Sequence, residues 1–289
     1  MKQWLQPLRL SIALLVLVCI SVSVHAADAV NGANGALLTA RFAALEQQLK
    51  SSPFGRPLIL ESTETANGLK GDVYAVVEHP IGKVTQSLSQ PGQWCEAMLL
   101  HISNRACTVS RRDRVDVITL SVVRKHDQNV SSAFVLPFAW RLVQSTPRYL
   151  GVQMDSPTGP LGTSDYRVSI EAVAADDRRS FLHFSYSYDE GVFARAAMQA
   201  YLATFGRSKV GFTVLGKGTD GKPQLIRGTR GLVERNAMRY FLTVEAYLSS
   251  ESAMARRQAW FAASEQYPLQ LHEVDSATYL GLKADDARR

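Results

Sequence analysis

Residues 181–188 run Phe181-Leu182-His183-Phe184-Ser185-Tyr186-Ser187-Tyr188. In an extended chain successive side chains point to opposite faces, so Leu182, Phe184, Tyr186 and Tyr188 share one side. His183, Ser185 and Ser187 share the other. A strand with one buried face and one wet face is expected here. Segments 115–123, 133–142, 148–154 and 166–173 are likewise rich in Val, Phe, Tyr and Thr. Turn-forming residues at 155–160 and 175–179 separate the later ones. Short strands joined by short turns predict an antiparallel meander.

Helical periods lie on either side of this meander. Downstream, 192–205 is expected as a helix with Gly206 as its C-cap. A strand at 210–215 and a glycine-rich turn at 216–221 follow. Residues 231–248 have the clearest amphipathic period, with Val233, Ala237, Phe241, Val244 and Leu248 in a stripe and Tyr240 and Tyr247 at its border. A last helix at 253–267 is stopped by Pro268, and the charged end at 284–289 is expected to fray. Upstream, 28–36 reads as a loose segment. A helix at 37–50 carries Leu38, Phe42, Leu45 and Leu49 on one face. After an extended piece at 57–64, Asp72 to Val77 reads as a strand. Pro80 suits a helix start, with Ile81, Val84, Thr85 and Leu88 at helical spacing, and a second short helix is expected at 94–101.

The first residues have the three parts of a secretory leader. Lys2 and Arg9 precede an apolar run of about 15 residues, which ends in Val24-His25-Ala26. Cleavage after Ala26 is predicted, and the run falls short of the ~20 residues that cross a bilayer. A lipid anchor at Cys19 is disfavoured by the bulk of Val18. Export to an oxidising compartment, the bacterial periplasm, follows from this reading. Loss of the leader takes Lys2 and Arg9 away and lowers the formal charge from +6 to +4. The basic residues at 111–114 and 227–239 are interrupted by acids and form no stripe of the kind that binds nucleic acid. A weak, transient attraction to anionic membrane surfaces stays open. Cys95 and Cys107 would remain. An even count in an exported chain favours a disulfide over a reactive thiol or a zinc pair, since one intervening His101 does not complete a tetrahedral set.

Chemistry-bearing patterns are scarce. There is no Gly-x-Ser-x-Gly and no phosphate-binding Gly-x-x-x-x-Gly-Lys-Ser/Thr. Gly216 to Gly221 reads as a hairpin turn. His79 and His101 read as structural or surface residues, and Glu61 and Glu64 matter only if folding joins them. Arg235 and Arg239, four apart on one helix, could clamp an anionic group, but a solvated helix face is the favoured reading. No metal or cofactor set is read.

The segment Gly71-Asp72-Val73-Tyr74-Ala75-Val76-Val77-Glu78-His79-Pro80, followed by Val84 to Leu88 and Gln93-Trp94-Cys95, resembles the START-like (SRPBCC, Bet v 1-type) superfamily. Residues 231–248 stand where the closing helix of that superfamily stands. Arg235-Asn236-Ala237-Met238-Arg239-Tyr240 resembles a family of uncharacterised exported proteobacterial proteins, which implies no activity. The resemblance implies an α+β, helix-grip fold: a curved antiparallel sheet wrapped on a long C-terminal helix, with extra N- and C-terminal helices. The implied division is a leader at 1–26, a segment and helix at 27–56, the helix-grip domain at 57–250 and a helical extension at 251–289. It also implies an apolar cavity for a lipid-like small molecule. Trp94, Phe184, Tyr186, Tyr188 and Phe241 are the candidate ligand contacts, with Arg239 and the tyrosine hydroxyls as polar ones. A periplasmic binding or carrier protein is the favoured function. An enzyme of the same fold and a non-catalytic envelope interaction protein are the alternatives.

Overall fold

The computed structural model of the protein describes residues 34–204 and 208–287. The leader, Cys19, residues 28–33 and the expected cap at Gly206 lie outside the described residues. Eight strands form one sheet: β1 (Leu58–Glu64), β2 (Gly68–Val77), β3 (Asn104–Arg112), β4 (Val115–Val122), β5 (Phe134–Thr146), β6 (Tyr149–Thr158), β7 (Thr163–Ala174) and β8 (Ser180–Glu190). Their order is β1-β2-β8-β7-β6-β5-β4-β3, and all pairings are antiparallel. Two helices, α2 (Ile81–Leu88) and α3 (Pro91–Met98), interrupt the meander after β2. The long helix α5 (Gly228–Ser249) closes it. Strand, two short helices, meander and closing helix are the α+β helix-grip arrangement. The additions are β1 at the sheet edge, α1 (residues 34–50), α4 (Val192–Ala203), a hairpin of β9 (Val214–Lys217) and β10 (Pro223–Leu225), and the helices α6 (Ala253–Glu265), α7 (Pro268–Leu271) and α8 (Ser276–Asp286).

Register explains where the core sits. Val73 pairs with Phe184, Phe184 with Ile170 and Ile170 with Val152, a row of buried side chains across four strands on the face towards α5. One row along, Gly71 pairs with Tyr186. A Cβ on Gly71 would lie 2.8 Å from the Ala237 Cβ and 3.2 Å from the Val233 carbonyl oxygen. The missing side chain lets α5 seat directly on β2. The stripe Val233, Ala237, Phe241, Val244 and Leu248 is buried as expected.

Other expectations need correction. α5 is not a helix with a solvated side: Glu234, Arg235 and Arg239 are buried as well. The Glu234 carboxylate accepts from the backbone amides of Phe212 and Thr213 and from the hydroxyls of Thr213 and Ser62, at 2.6–3.0 Å. Arg235 donates to the Val210 carbonyl. The second short helix starts at Pro91 and ends at Met98, because Pro91 fits a first turn and Gln90 and Gln93 form a capping box. A strand at 104–112 was not expected. β6 runs on to Thr158 through the pairs Ser156↔Tyr166 and Thr158↔Ser164, so the turn falls at Gly159–Gly162. The extended piece expected at 210–215 begins at Val214, as one arm of the β9–β10 hairpin. Residues 284–286 are helical and packed, not frayed.

The second face of the sheet is covered at one end. Residues 34–36 are already helical, and α1 buries Leu38, Leu45 and Leu49 against Tyr74, Val76, Tyr149, Val173 and Phe181. Phe42 stacks on Phe181 with 4.6 Å between centroids. The side of β8 expected to be wet is thus partly covered here, and it holds an ion cluster. His183 Nε2 lies 2.8 Å from Asp72 and Nδ1 lies 3.3 Å from Glu171. Tyr149 donates to Glu171, Lys70 pairs with Asp72, and Tyr74 stacks flat on the imidazole. Arg41 of α1 lies over Tyr74 and pairs with Glu61. Burial opposes a charge on His183, but the two carboxylates outweigh it and raise its pKa.

Two outcomes follow from these contacts. Gly71→Val forces β2 and α5 apart and should cost about 1–3 kcal/mol in urea unfolding, whereas Gly82→Ala, with open space around it, should not. Because the folded pKa of His183 is raised, its contribution is complete below about pH 6.5 and is lost as pH climbs through the folded value. The stability difference between wild type and His183→Gln, of order 1–2 kcal/mol at mildly acidic pH, should therefore shrink in alkaline buffer. A difference that grows with pH would contradict the clamp.

Candidate functional site

α5 lies against β1, β2 and β8, while the sheet curves on through β7, β6, β5 and β4. Between the curved part and the helix lies a cavity of ≈ 190 Å³. Its sheet wall is made by inward residues that recur at every second position: Leu120 of β4, Leu136 and Phe138 of β5, Met154 of β6, Tyr166 and Val168 of β7, and Tyr186 of β8. Asn236 and Tyr240 of α5 face them. Met98, His101 and Ser103 form the floor, and Pro160 lies at the rim.

The aromatic rings form a continuous chain. Phe138 meets Tyr166 edge-on, Tyr186 stacks on Tyr240 at 5.5 Å, and Tyr240 stacks on His101 at 4.6 Å. Wall hydroxyls have neighbours: Tyr166 shares a hydrogen bond with Thr163, and Tyr186 lies beside Asn236. Burial raises the tyrosine pKa values, that of Tyr240 to about 12, so these phenols remain neutral.

His101 is the exception among the polar groups. Its Nδ1 accepts from the Ser103 amide at 3.1 Å, which leaves the ring proton on Nε2. The Nε2 atom is buried and has no partner within the protein. Burial, then the positive charges of Arg239 and Lys283, hold the His101 pKa well below the usual value.

The segment that carries His101 is fixed from two sides. The Cys95–Cys107 disulfide joins α3 to β3 with a Cα–Cα distance of 5.5 Å, as the even cysteine count favoured. A cross-link over so short a loop contributes about 3 kcal/mol by restricting the unfolded chain. From the other side, Tyr279 of α8 donates to the Leu100 carbonyl and Lys283 to the Asn104 carbonyl. Asp286 binds both Arg105 and Lys283 in the interior. Burial lowers the Lys283 pKa to about 8 despite Asp286.

Of the residues singled out from sequence, Tyr186 lines the cavity. Trp94 is fully buried in α3, where its indole donates to the Leu88 carbonyl and pins the α2–α3 corner. Phe184 and Phe241 are fully buried in the core, away from the lining, and Tyr188 stacks on Tyr166. Arg239 points to α7, where it pairs with Glu273 and the Leu271 carbonyl. The Arg235–Arg239 anion clamp, the less favoured alternative from sequence, does not form, because each guanidinium has a separate protein partner. Glu61 and Glu64 diverge, to Arg41 and Thr229 respectively. Among the described residues no group of three or more His, Cys, Asp or Glu is placed to hold a metal ion. Sequence reasoning missed Leu120, Leu136, Phe138, Met154 and Val168, although each is an alternate residue of an expected strand. His101 was set aside for lack of a neighbouring ligand set.

No protein-family model matches the chain, and no curated protein matches it. Similar solved structures include truncated norcoclaurine synthase from Thalictrum flavum, with 16% identity over 50% of this chain and 89% of that one and a TM-score of 0.35. A conserved protein from Geobacillus kaustophilus has 10% identity over 63% and 95%, with a TM-score of 0.36. A protein from Thermus thermophilus has 9% identity over 68% and 99%, with a TM-score of 0.37. Likeness at this level says nothing of what this chain binds or does.

The tautomer of His101 is open to direct measurement. Nitrogen-15 NMR of the histidine rings should find it neutral with the proton on Nε2 at about pH 5.5, a unit below the free side chain. A protonated ring at that pH would contradict the site geometry.

Proposed function

We propose that the protein binds a compact apolar molecule, without transforming it, in the cavity between the sheet and α5. The observation that carries this reading is a space of ≈ 190 Å³ walled mainly by aliphatic and aromatic side chains. The space is partly open to solvent and has polar as well as apolar wall, and sites for drug-sized ligands run from about 300 Å³ upward. The volume therefore favours a guest of one or two rings over a long-chain lipid. The leader-like N-terminus and the cystine support a place of action in the periplasm, with the molecule held or carried there.

Two measurements test the proposal. Protein purified from periplasm and from cytoplasm under native conditions, extracted and analysed by mass spectrometry, should yield a compact apolar compound enriched in the periplasmic preparation. Val168→Phe fills the space from the β7 wall, at an expected cost of about 1–3 kcal/mol for overpacking. It should retain the fold and lose at least tenfold in affinity for ring-sized probes such as ethylbenzene. Unchanged probe binding in that variant, or no binding by the wild type, would remove the reading.

A further inference from the structure

We infer that the guest is an uncharged ring compound carrying a hydroxyl group, a phenol or ring alcohol in type, and that the Asn236 side-chain amide on α5 is the group that meets this hydroxyl. The inference rests on the cavity being a binding site and adds the chemistry of its occupant.

Polar and apolar wall lie on different sides of the space. β4, β5 and β6 contribute only apolar side chains, whereas Tyr166, Tyr186 and Asn236 meet where β7 and β8 face α5. The helix shows which way Asn236 is turned. Leu232, Asn236 and Tyr240, four apart along α5, are each partly exposed, while residues 233–235 and 237–239 are buried. That open edge of the helix borders the cavity through Asn236 and Tyr240, and Tyr240 is fixed by its stack on Tyr186 across the space. A few fixed polar groups in a mainly apolar pocket set orientation and specificity.

Hydrogen bonds from the rim inward have a set direction. Thr163 donates its hydroxyl to the Pro160 carbonyl at 2.5 Å. With that proton spent, the 2.9 Å bond between Thr163 and Tyr166 is donated by Tyr166. The Tyr166 oxygen is left as an acceptor towards Tyr186, and the Tyr186 oxygen as an acceptor towards the Asn236 amide beside it. An amide has two N–H donors and a carbonyl oxygen. With one N–H turned to Tyr186, the other and the carbonyl remain. A hydroxyl, which both gives and accepts a proton, can use either, whereas a ketone or ether can use only the N–H. Among the described residues that line the space none is Asp, Glu, Lys or Arg, and His101 is held neutral. A charged guest would lose water there without gaining a counter-ion.

The test compares p-cresol with p-xylene, which are close in shape and differ in the hydroxyl, by calorimetry on the purified protein. A hydroxyl left unmet in the space would make p-cresol about tenfold the weaker of the two, so the wild type should bind it at least as tightly as p-xylene. p-Tolualdehyde, an acceptor of similar size, and 4-methylbenzoate should each bind more weakly than p-cresol. Asn236→Leu keeps a side chain of similar size on the partly exposed edge of α5. It should weaken p-cresol about tenfold relative to p-xylene. In the wild type, p-cresol should move the Asn236 Nδ2 resonance further than p-xylene does, a readout that does not depend on the variant folding. Three results would overturn the inference while leaving the cavity reading intact: p-cresol about tenfold weaker than p-xylene in the wild type, p-tolualdehyde as tight as p-cresol, or a p-cresol to p-xylene ratio unchanged by Asn236→Leu. Failure of every probe to bind would remove the underlying reading together with this one.

Discussion

The close approach of α5 to β2 at Gly71 governs the rest of the molecule. With Ala237 and the Val233 carbonyl against the strand backbone, the helix is fixed at one margin of the sheet. Strands in a sheet are rotated by about 20–25° from one to the next, so a helix seated on β1, β2 and β8 cannot follow the surface to β4 and β5. The space that opens must be filled. α2 and α3 fill part of it, large inward side chains fill more, and ≈ 190 Å³ is left. The cavity is in this sense a geometric remainder of a helix held tightly at one side.

The far side of α5 is equally constrained. In a bare helix-grip arrangement it would face water. Here the 210–213 segment, α6 and α7 cover it, which obliges the chain to bury charge. The buried carboxylates and cations come with partners: Glu234 has four donors, Arg239 has Glu273, and Arg105 and Lys283 share Asp286. Burial of paired charges adds little net stability compared with apolar packing, but loss of one member is severe. Such pairs specify position, and the Arg105–Asp286–Lys283 group specifies the placement of the cavity floor.

Much of the architecture was legible in the sequence. Alternation located β4 through β8, Pro80 located the start of α2, and the stripe from Val233 to Leu248 located the inner face of α5. What stayed hidden has physical reasons. β3 is buried only at its start, and its exposed half, with Arg111 and Arg112, lacks the apolar alternation that marks a strand. Asp155 to Thr158 has turn-forming residues, yet pairing with β7 overrides local preference. The burial of Arg235, Arg239 and Lys283 involves partners 25 to 179 residues away, as with Arg235 and Val210 or Lys283 and Asn104, and has no local signature. The site was legible in part: Tyr186 was on the expected face, whereas His101 gains its meaning only from the stack on Tyr240 and the bond from Ser103.

The Cys95–Cys107 link encircles His101, since both cysteines flank it in a loop with a sequence separation of 12. Oxidation therefore closes a small covalent ring around a buried imidazole of the cavity lining. Without the cystine the loop would keep its hydrogen bonds from α8 and the His101–Tyr240 stack but lose its covalent tie. Formation of the cystine and fixing of this loop become a single event.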